Sequence, residues 1–395
     1  MALSHYVFKL ANWVGFTRLD LTVIWIDRIP FSPLKRAYNS KGFAGMNNKA
    51  FDFLVFIGRF QPLHKGHLAV IEAGLQQAEQ LIILCGSAHQ PRSARNPWTV
   101  AEREVMIRGA VTKTDNPRIH VAPLMDIVYN DESWTRNVQA TINGLVTAHH
   151  GVPHRQPKVG LIGHSKDQSS YYLNLFPQWG AVEVANFEGI SATPIRESIF
   201  GGSNESETFI ETDAAKQLLP VNVLDDMVEF CDTKVYADIK DEHDFVAKYK
   251  TAWNAAPYEP TFVTVDAVLV QSGHVLMVER KGRPGKGLMA LPGGFVDPGE
   301  RLVDACLREL REETRLKVPA AVLKGSIKGQ QMFDDPYRSA RGRTFTQVFY
   351  IELEPNKALP KVKGADDAKW VPLADLDPTQ IFEDHYFIIQ EMTGM

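Results

Sequence analysis

The chain has 395 residues, more than one hydrophobic core of ordinary size accommodates, so two domains are the default expectation. Apolar residues make up 44% and charged residues 23%, the balance of an ordinary soluble globular protein. A net charge of −4 and a pI near 6.3 speak against a nucleic-acid binder that relies on a broad basic face.

Residues 1–45 come first. Their most apolar run, LTVIWI at 21–26, is flanked by Asp20 and Asp27 and is far short of the ~20 residues that span a bilayer. Lys9, Arg18, Asp20 and Arg28 interrupt any cleavable signal. This segment reads as a dispensable extension with Met46 as the working initiator, or as a docking segment using Trp13, Phe16 and Trp25.

The next stretch is the most informative. The apolar run FDFLVFI (51–57) leads into GRFQPLHKGH (58–67) and then LAVIEAGLQQAEQ, with Leu68, Ile71, Leu75 and Ala78 at helical spacing. This predicts a buried strand, a tight loop and an amphipathic helix. Such a junction aims backbone N–H groups and the positive helix end at an anion. Gly66 stands between His64 and His67, where a side chain would block a phosphate. The corner suits a nucleotide.

Strands follow at 81–86, 118–123 and 158–164, alternating with helices at 100–113 and around Trp134, Val138, Ile142 and Leu145. That alternation predicts an α/β, doubly wound parallel sheet with ligands at the carboxyl ends of its strands. After Pro220 the pattern fades into two helices, the second carrying a stripe of Phe245, Tyr249 and Trp253 that reads as a packing face. NAAPYEP (254–260) reads as a linker, and short strands around one strong helix at 302–314 then predict an α+β domain. The expected boundaries are an extension at 1–45, a first domain at 46–235, a helical linker at 236–259 and a second domain at 260–395. Cys85, Cys231 and Cys306 lack CxxC spacing, which fits a reducing cytoplasm.

Three further stretches complete the first site. NPWTVAERE (96–104) offers an exposed-looking Trp98 and Arg103, and YNDESW (129–134) offers Trp134 with polar groups. GISATPIRE (189–197) offers Ser191, Thr193 as the expected N-cap with Pro194 at N1, and Arg196 in the first turn.

GRFQPLHKGH with the later ISATPIR resembles the nucleotidylyltransferase superfamily that carries the HxGH signature. With NPWTVAER between them, the set is most similar to archaeal-type nicotinamide mononucleotide (NMN) adenylyltransferases, over about residues 50–220. The resemblance implies a Rossmann-like domain in which the NMN phosphate attacks the α-phosphorus of ATP, giving NAD and pyrophosphate without a protein nucleophile. It places His64 and His67 on the ATP phosphates, with Gly58, Arg59, Phe60, Ser191, Thr193 and Arg196 also at ATP. Trp98 and Trp134 stack on the nicotinamide ring or pack in the core, and Arg103 contacts the mononucleotide side. Lys65 touches phosphate or points to solvent. Mg²⁺, or Mn²⁺ in its place, bridges phosphates and is held mainly by substrate oxygens.

In GGFVDPGERLVDACLRELREET (293–314), Glu309, Glu312 and Glu313 share one helix face. Like charges at that spacing call for a divalent cation, which can also activate water. The stretch resembles the Nudix box: Gly294, Glu300, Arg308, Glu309, Leu310, Glu312, Glu313 and Leu316 match, and Arg315 stands where the box has glycine. Gly293, Gly294 and Gly299 are expected to permit a tight loop into the helix. The resemblance implies a metal site at Gly294, Glu309, Glu312 and Glu313.

The flanking stretches are similar to ADP-ribose pyrophosphatases, which yield AMP and ribose 5-phosphate. Arg341 and Arg343, with Arg338, recognise diphosphate or the terminal ribose, or line a solvated strand edge. Asp366 and Asp367 assist water activation or are surface charge. The implied partners are ATP, NMN and ADP-ribose, with no nucleic acid and no membrane, in a chain that assembles as a homo-oligomer in some relatives. Rival readings are adenylyl transfer to another phosphate such as phosphopantetheine, a Nudix half that senses ligands without cleaving them, and one that cleans oxidised nucleoside triphosphates.

Overall fold

β1 (Phe51–Gly58) shows why the first sheet is buried on both faces. Leu54 and Phe56 join one apolar cluster, while Phe53 and Val55 join another on the opposite face. β2 (Ala78–Cys85) repeats this, with Leu81 and Ile83 on the first side and Ile82 and Leu84 on the second. A strand without a polar side is stable only when helices cover both faces. With β3 (Ile119–Pro123), β4 (Val159–Gly163) and β5 (Gly180–Glu183), the order is β3-β2-β1-β4-β5, every pairing parallel. This is the predicted doubly wound sheet.

The computed structural model describes residues 49–150, 155–163, 175–184, 189–201, 209–355, 358–362 and 368–395, which lie in one compact unit, Asn48–Met395. The extension at 1–45, the expected strand end at His164, and Asp366 and Asp367 lie outside the described residues.

The segment expected as a linker is more than that. Its helix, Lys234–Thr251, buries Tyr236 and Ile239 against the first core, and the Tyr236 hydroxyl donates to the Ile199 carbonyl at 3.0 Å. Farther along, Asp241 pairs with Arg283 at 2.9 Å and Glu242 accepts from the Gly285 N–H at 3.0 Å. Tyr249 and Trp253 reach Phe262 with ring centroids 6.0 and 5.5 Å away, whereas Phe245 is exposed. The aromatic stripe thus packs at its far end.

The second sheet contains β6 (Phe262–Gln271), β7 (His274–Glu279), β8 (Met289–Ala290), β9 (Gly293–Phe295), β10 (Ile327–Phe333), β11 (Thr344–Glu352) and β12 (Lys369–Pro372). Its order is β10-β11-β6-β7-β12, with β9 beside β6 and β8 beside β7. Only β6 and β11 run parallel among these described strands. The helix Leu302–Thr314 packs Ala305, Cys306 and Leu310 against Val265, Ala267 and Leu269. On the other face, Ile388 and Ile389 of the helix His385–Thr393 cover Val268 and Val270.

Candidate active sites

The helix Lys65–Gln77 begins with His64 as its N-cap. The His67 N–H donates to His64 Nδ1 and the His64 N–H donates to His67 Nδ1, both at 3.3 Å. The rings stack with centroids 3.6 Å apart. With each Nδ1 an acceptor, the neutral rings carry their protons on Nε2. That makes the pair two N–H donors at a positive helix end. Gly66 serves this arrangement directly, because a Cβ there would lie 3.1 Å from the His64 ring. Phe60 adopts φ 53°, is buried and supports the His67 ring at 4.8 Å. Gly58 ties the loop to the end of β2, its carbonyl accepting from the Gly86 N–H at 2.8 Å.

Cations gather around this corner. Arg196 is buried, donates to the Gln61 carbonyl at 2.7 Å and to Thr193 Oγ1 at 3.1 Å, and has its pKa pushed down to about 10 by burial, Arg59 and Arg95. Burial, reinforced by Arg95, also lowers the Arg59 pKa, and its Nη1 has no hydrogen-bond partner among the described residues. Desolvated like charges held this way favour an anion strongly.

Several sequence expectations need correction here. The helix Ala192–Phe200 is capped by Ser191, not Thr193; Ser191 Oγ accepts from the Thr193 N–H at 3.5 Å. Arg103 is 1% exposed, and its guanidinium is committed to the carbonyls of Arg59 and Gly86, both at 2.7 Å, and of Thr99 at 3.2 Å. These bonds brace the loop that follows β1. Trp98 is buried, not exposed, against Phe230 at 5.2 Å, with its backbone gripped by the Gln61 amide. Trp134 is half-buried near Phe176. Lys65 Nζ donates to the Lys216 carbonyl at 2.6 Å.

Sequence reading passed over Ser87, Gln90 and Asp126. Asp126 accepts from the Ser87 N–H at 3.0 Å and from the Gln90 amide at 3.3 Å. They follow β2 and β3 at the carboxyl ends, the one signal that could have found them.

At the second site, Gly293 and Gly294 lie in β9, not in a loop. A Cβ on Gly294 would stand 2.6 Å from the Glu309 carboxylate, so glycine lets strand and helix approach. Glu313 accepts from the Gly293 N–H at 3.0 Å. Arg308 donates to Glu300 at 3.0 Å, Glu309 at 2.7 Å and Glu312 at 3.3 Å, and the Glu300 and Glu309 carboxylates push its pKa up. Among the described residues no three metal-ligating side chains stand gathered, and Arg308 pairs with Glu309 and Glu312. The donor set nonetheless fits a hard divalent cation: carboxylate oxygens on one face, with the Gly294 backbone adjacent.

Arg338 is no solvated strand edge. It is buried, with a two-pronged ion pair to Asp384 at 2.9 and 3.1 Å. Arg341 lies 5.3 Å over the Phe295 ring, and Arg343 donates to the Asp334 carbonyl. Sequence reading also missed Arg280, 3.9 Å over the Phe382 ring, and Asp266, whose pKa burial raises. Both halves open into one crevice of about 1540 Å³, walled by Asp126, Thr193 and Arg196 on one side and Arg338, Arg343 and Glu383 on the other.

The sequence matches the family described as cytidylyltransferase-like over residues 55–198 and the NUDIX domain over residues 260–392. It is 38% identical over 194 residues to the nicotinamide/nicotinic acid mononucleotide adenylyltransferase of Acinetobacter baylyi, spanning 49% of this chain and 94% of that protein. It is 35% identical to the ADP-ribose pyrophosphatase of Methanocaldococcus jannaschii, spanning 33% of this chain and 71% of that one. A crystal structure from Francisella tularensis, a bifunctional NMN adenylyltransferase/ADP-ribose pyrophosphatase complexed with AMP and a Mn ion, superposes with a TM-score of 0.76 at 33% identity. That match covers 87% of this chain and 99% of the other.

Proposed function

The chain belongs to the bifunctional NMN adenylyltransferase/ADP-ribose pyrophosphatase family, and we propose that its first half joins ATP to NMN while its second hydrolyses ADP-ribose. The observation that carries the first activity is the reciprocal histidine pair beside Arg59 and Arg196. In the reaction an NMN phosphate oxygen bonds to the α-phosphorus of ATP, the bond to the β-phosphate oxygen breaks, and pyrophosphate leaves. The Nε2–H groups of His64 and His67 donate to phosphate oxygens and stabilise the charge that grows on the leaving group. Arg59 and Arg196 hold the chain in line, and Ser191 and Thr193 add hydroxyl contacts. Trp134 remains the aromatic candidate for the nicotinamide ring.

In the second half, water adds to a phosphorus of the diphosphate and the P–O–P bond breaks, giving AMP and ribose 5-phosphate. Arg280, Arg341 and Arg343 meet the diphosphate charge. Glu309, Glu312, Glu313 and the Gly294 carbonyl would hold Mg²⁺ or Mn²⁺, which when bound supplies Lewis-acid activation of water and diphosphate. The same ions would accompany ATP at the first site, held by substrate oxygens. No helix among the described residues is long and apolar enough to cross a membrane, and the three cysteines are unbridged. We therefore place the work in the cytoplasm.

The test is paired. Wild-type chain with ATP and NMN should release NAD, and His67→Ala should lower synthesis by roughly a hundredfold or more. Glu312→Gln should abolish ADP-ribose hydrolysis and spare synthesis; Glu312 is 63% exposed, so its loss does not endanger folding. Undiminished synthesis in His67→Ala, or one substitution silencing both reactions, would overturn the assignment.

A further inference from the structure

The loop 334–343 between β10 and β11 carries the arginines of the second site, yet part of what holds it belongs to the first half. The Tyr129 hydroxyl donates to Asp384 Oδ2 at 2.5 Å, the same oxygen that receives Arg338 Nε at 2.9 Å. The Tyr129 ring packs edge-on to Phe333, centroids 4.7 Å apart, at the point where β10 enters the loop. Arg95 reaches the loop's tip, its guanidinium 4.9 Å over the Tyr337 ring. The loop's far side leads to the carboxylates: the Ala340 N–H donates to Glu383 at 3.0 Å, and Arg341 covers Phe295, next to Gly294.

We propose that Tyr129 is a positioning residue for the hydrolytic reaction, although it lies in the half that transfers adenylyl groups. It acts through Asp384 and Arg338, fixing the loop that presents Arg341 and Arg343 to the substrate. Arg338 and Asp384 are both nearly sequestered from water, with side chains 3% and 7% exposed. In so dry a setting an ion pair depends on its remaining hydrogen bonds for orientation. A tyrosine hydroxyl on the shared carboxylate restricts the angle at which Arg338 can bind, and thereby the path of the loop. The partner half thus contributes to a site it does not line with catalytic groups.

This role rests on the ADP-ribose pyrophosphatase reading, and the full-length chain tests both. In Tyr129→Phe the ring stays and only the hydroxyl goes. KM for ADP-ribose should rise roughly tenfold with kcat within about twofold, while NAD synthesis and melting temperature stay at wild-type values. Wild-type KM and kcat in this variant would overturn the proposal, and so would an equal fall in both activities, which marks a prop for the whole fold. If Tyr129→Phe does not fold, Tyr337→Ala decides, with Tyr337→Phe as control. Tyr337 is 72% exposed, so its removal does not unfold the chain. A raised KM in Tyr337→Ala with a wild-type Tyr337→Phe supports the positioned loop, and an unchanged KM overturns it. A wild-type chain that never cleaves ADP-ribose would sink the pyrophosphatase reading and the positioning role with it.

Discussion

Arg315 occupies φ 49°, ψ 32° just past the helix Leu302–Thr314, donating its N–H to the Arg311 carbonyl at 2.9 Å. The backbone turn that a glycine would make is therefore kept, at a cost of roughly 1 kcal/mol for a residue with a Cβ. The glutamates precede this turn and do not depend on it. Arg315→Gly should stabilise the chain by about 1 kcal/mol, read as a higher melting temperature, with hydrolysis unchanged. A lower melting temperature would mean that the guanidinium contributes more than the strain costs. Residue types were legible at such positions, but their directions were not. Arg103 and Trp98 belong to a recognisable motif, yet one is consumed by backbone carbonyls and the other by the core.

Between elements, two adjacent glycines in β9 answer to different neighbours. A Cβ on Gly293 would meet the Val265 carbonyl at 2.2 Å, a backbone atom of the paired strand that cannot step aside. A Cβ on Gly294 would meet only the tip of Glu309, which can. Gly293→Ala should therefore destabilise the chain by roughly 1–3 kcal/mol or more. Gly294→Ala should keep its stability and lose at least about tenfold in hydrolysis, because the displaced carboxylate leaves the proposed cation site. Denaturant unfolding beside ADP-ribose turnover separates the two outcomes. The long strands and the helix Leu302–Thr314 were readable from their periodicity, since burial on one or both faces imprints a pattern. The two-residue β8 and three-residue β9 were not, because so few residues carry no period, and neither was the C-terminal helix, whose partners Val268 and Val270 lie far away in sequence.

Across the whole molecule, two titratable groups beside the second site pull stability against pH in opposite directions. Burial pushes His385 down to about 3, so below its ordinary 6.5 the unfolded chain takes up a proton that the folded chain refuses. Its contribution is present above pH 6.5 and lost as pH falls. Burial pushes Glu383 up to about 7, so from pH 7 down to 4.5 the folded chain takes the proton first, and stability grows as pH falls. Between pH 6.5 and 4.5 the two offset one another. Glu383→Gln removes one side and keeps an acceptor for the Ala340 N–H. Its unfolding free energy should then fall on acidification, relative to wild type, by up to about 1.4 kcal/mol per pH unit. Denaturant titrations at pH 6.5, 5.5 and 4.5 check this; parallel curves for the two proteins would refute it.

Sequence alone determined the two nucleotide-handling motifs, the parallel sheet of the first half and the acidic helix of the second, because each is written in residues close together along the chain. Only the tertiary structure decided which cations face a ligand and which are spent on the fold. Arg338 meets Asp384 across 46 positions, and Tyr129 meets the same carboxylate across 255. No local pattern records such meetings: a side chain's partner is fixed by where the sheets and helices carry it, and burial then sets how strongly the pair is held.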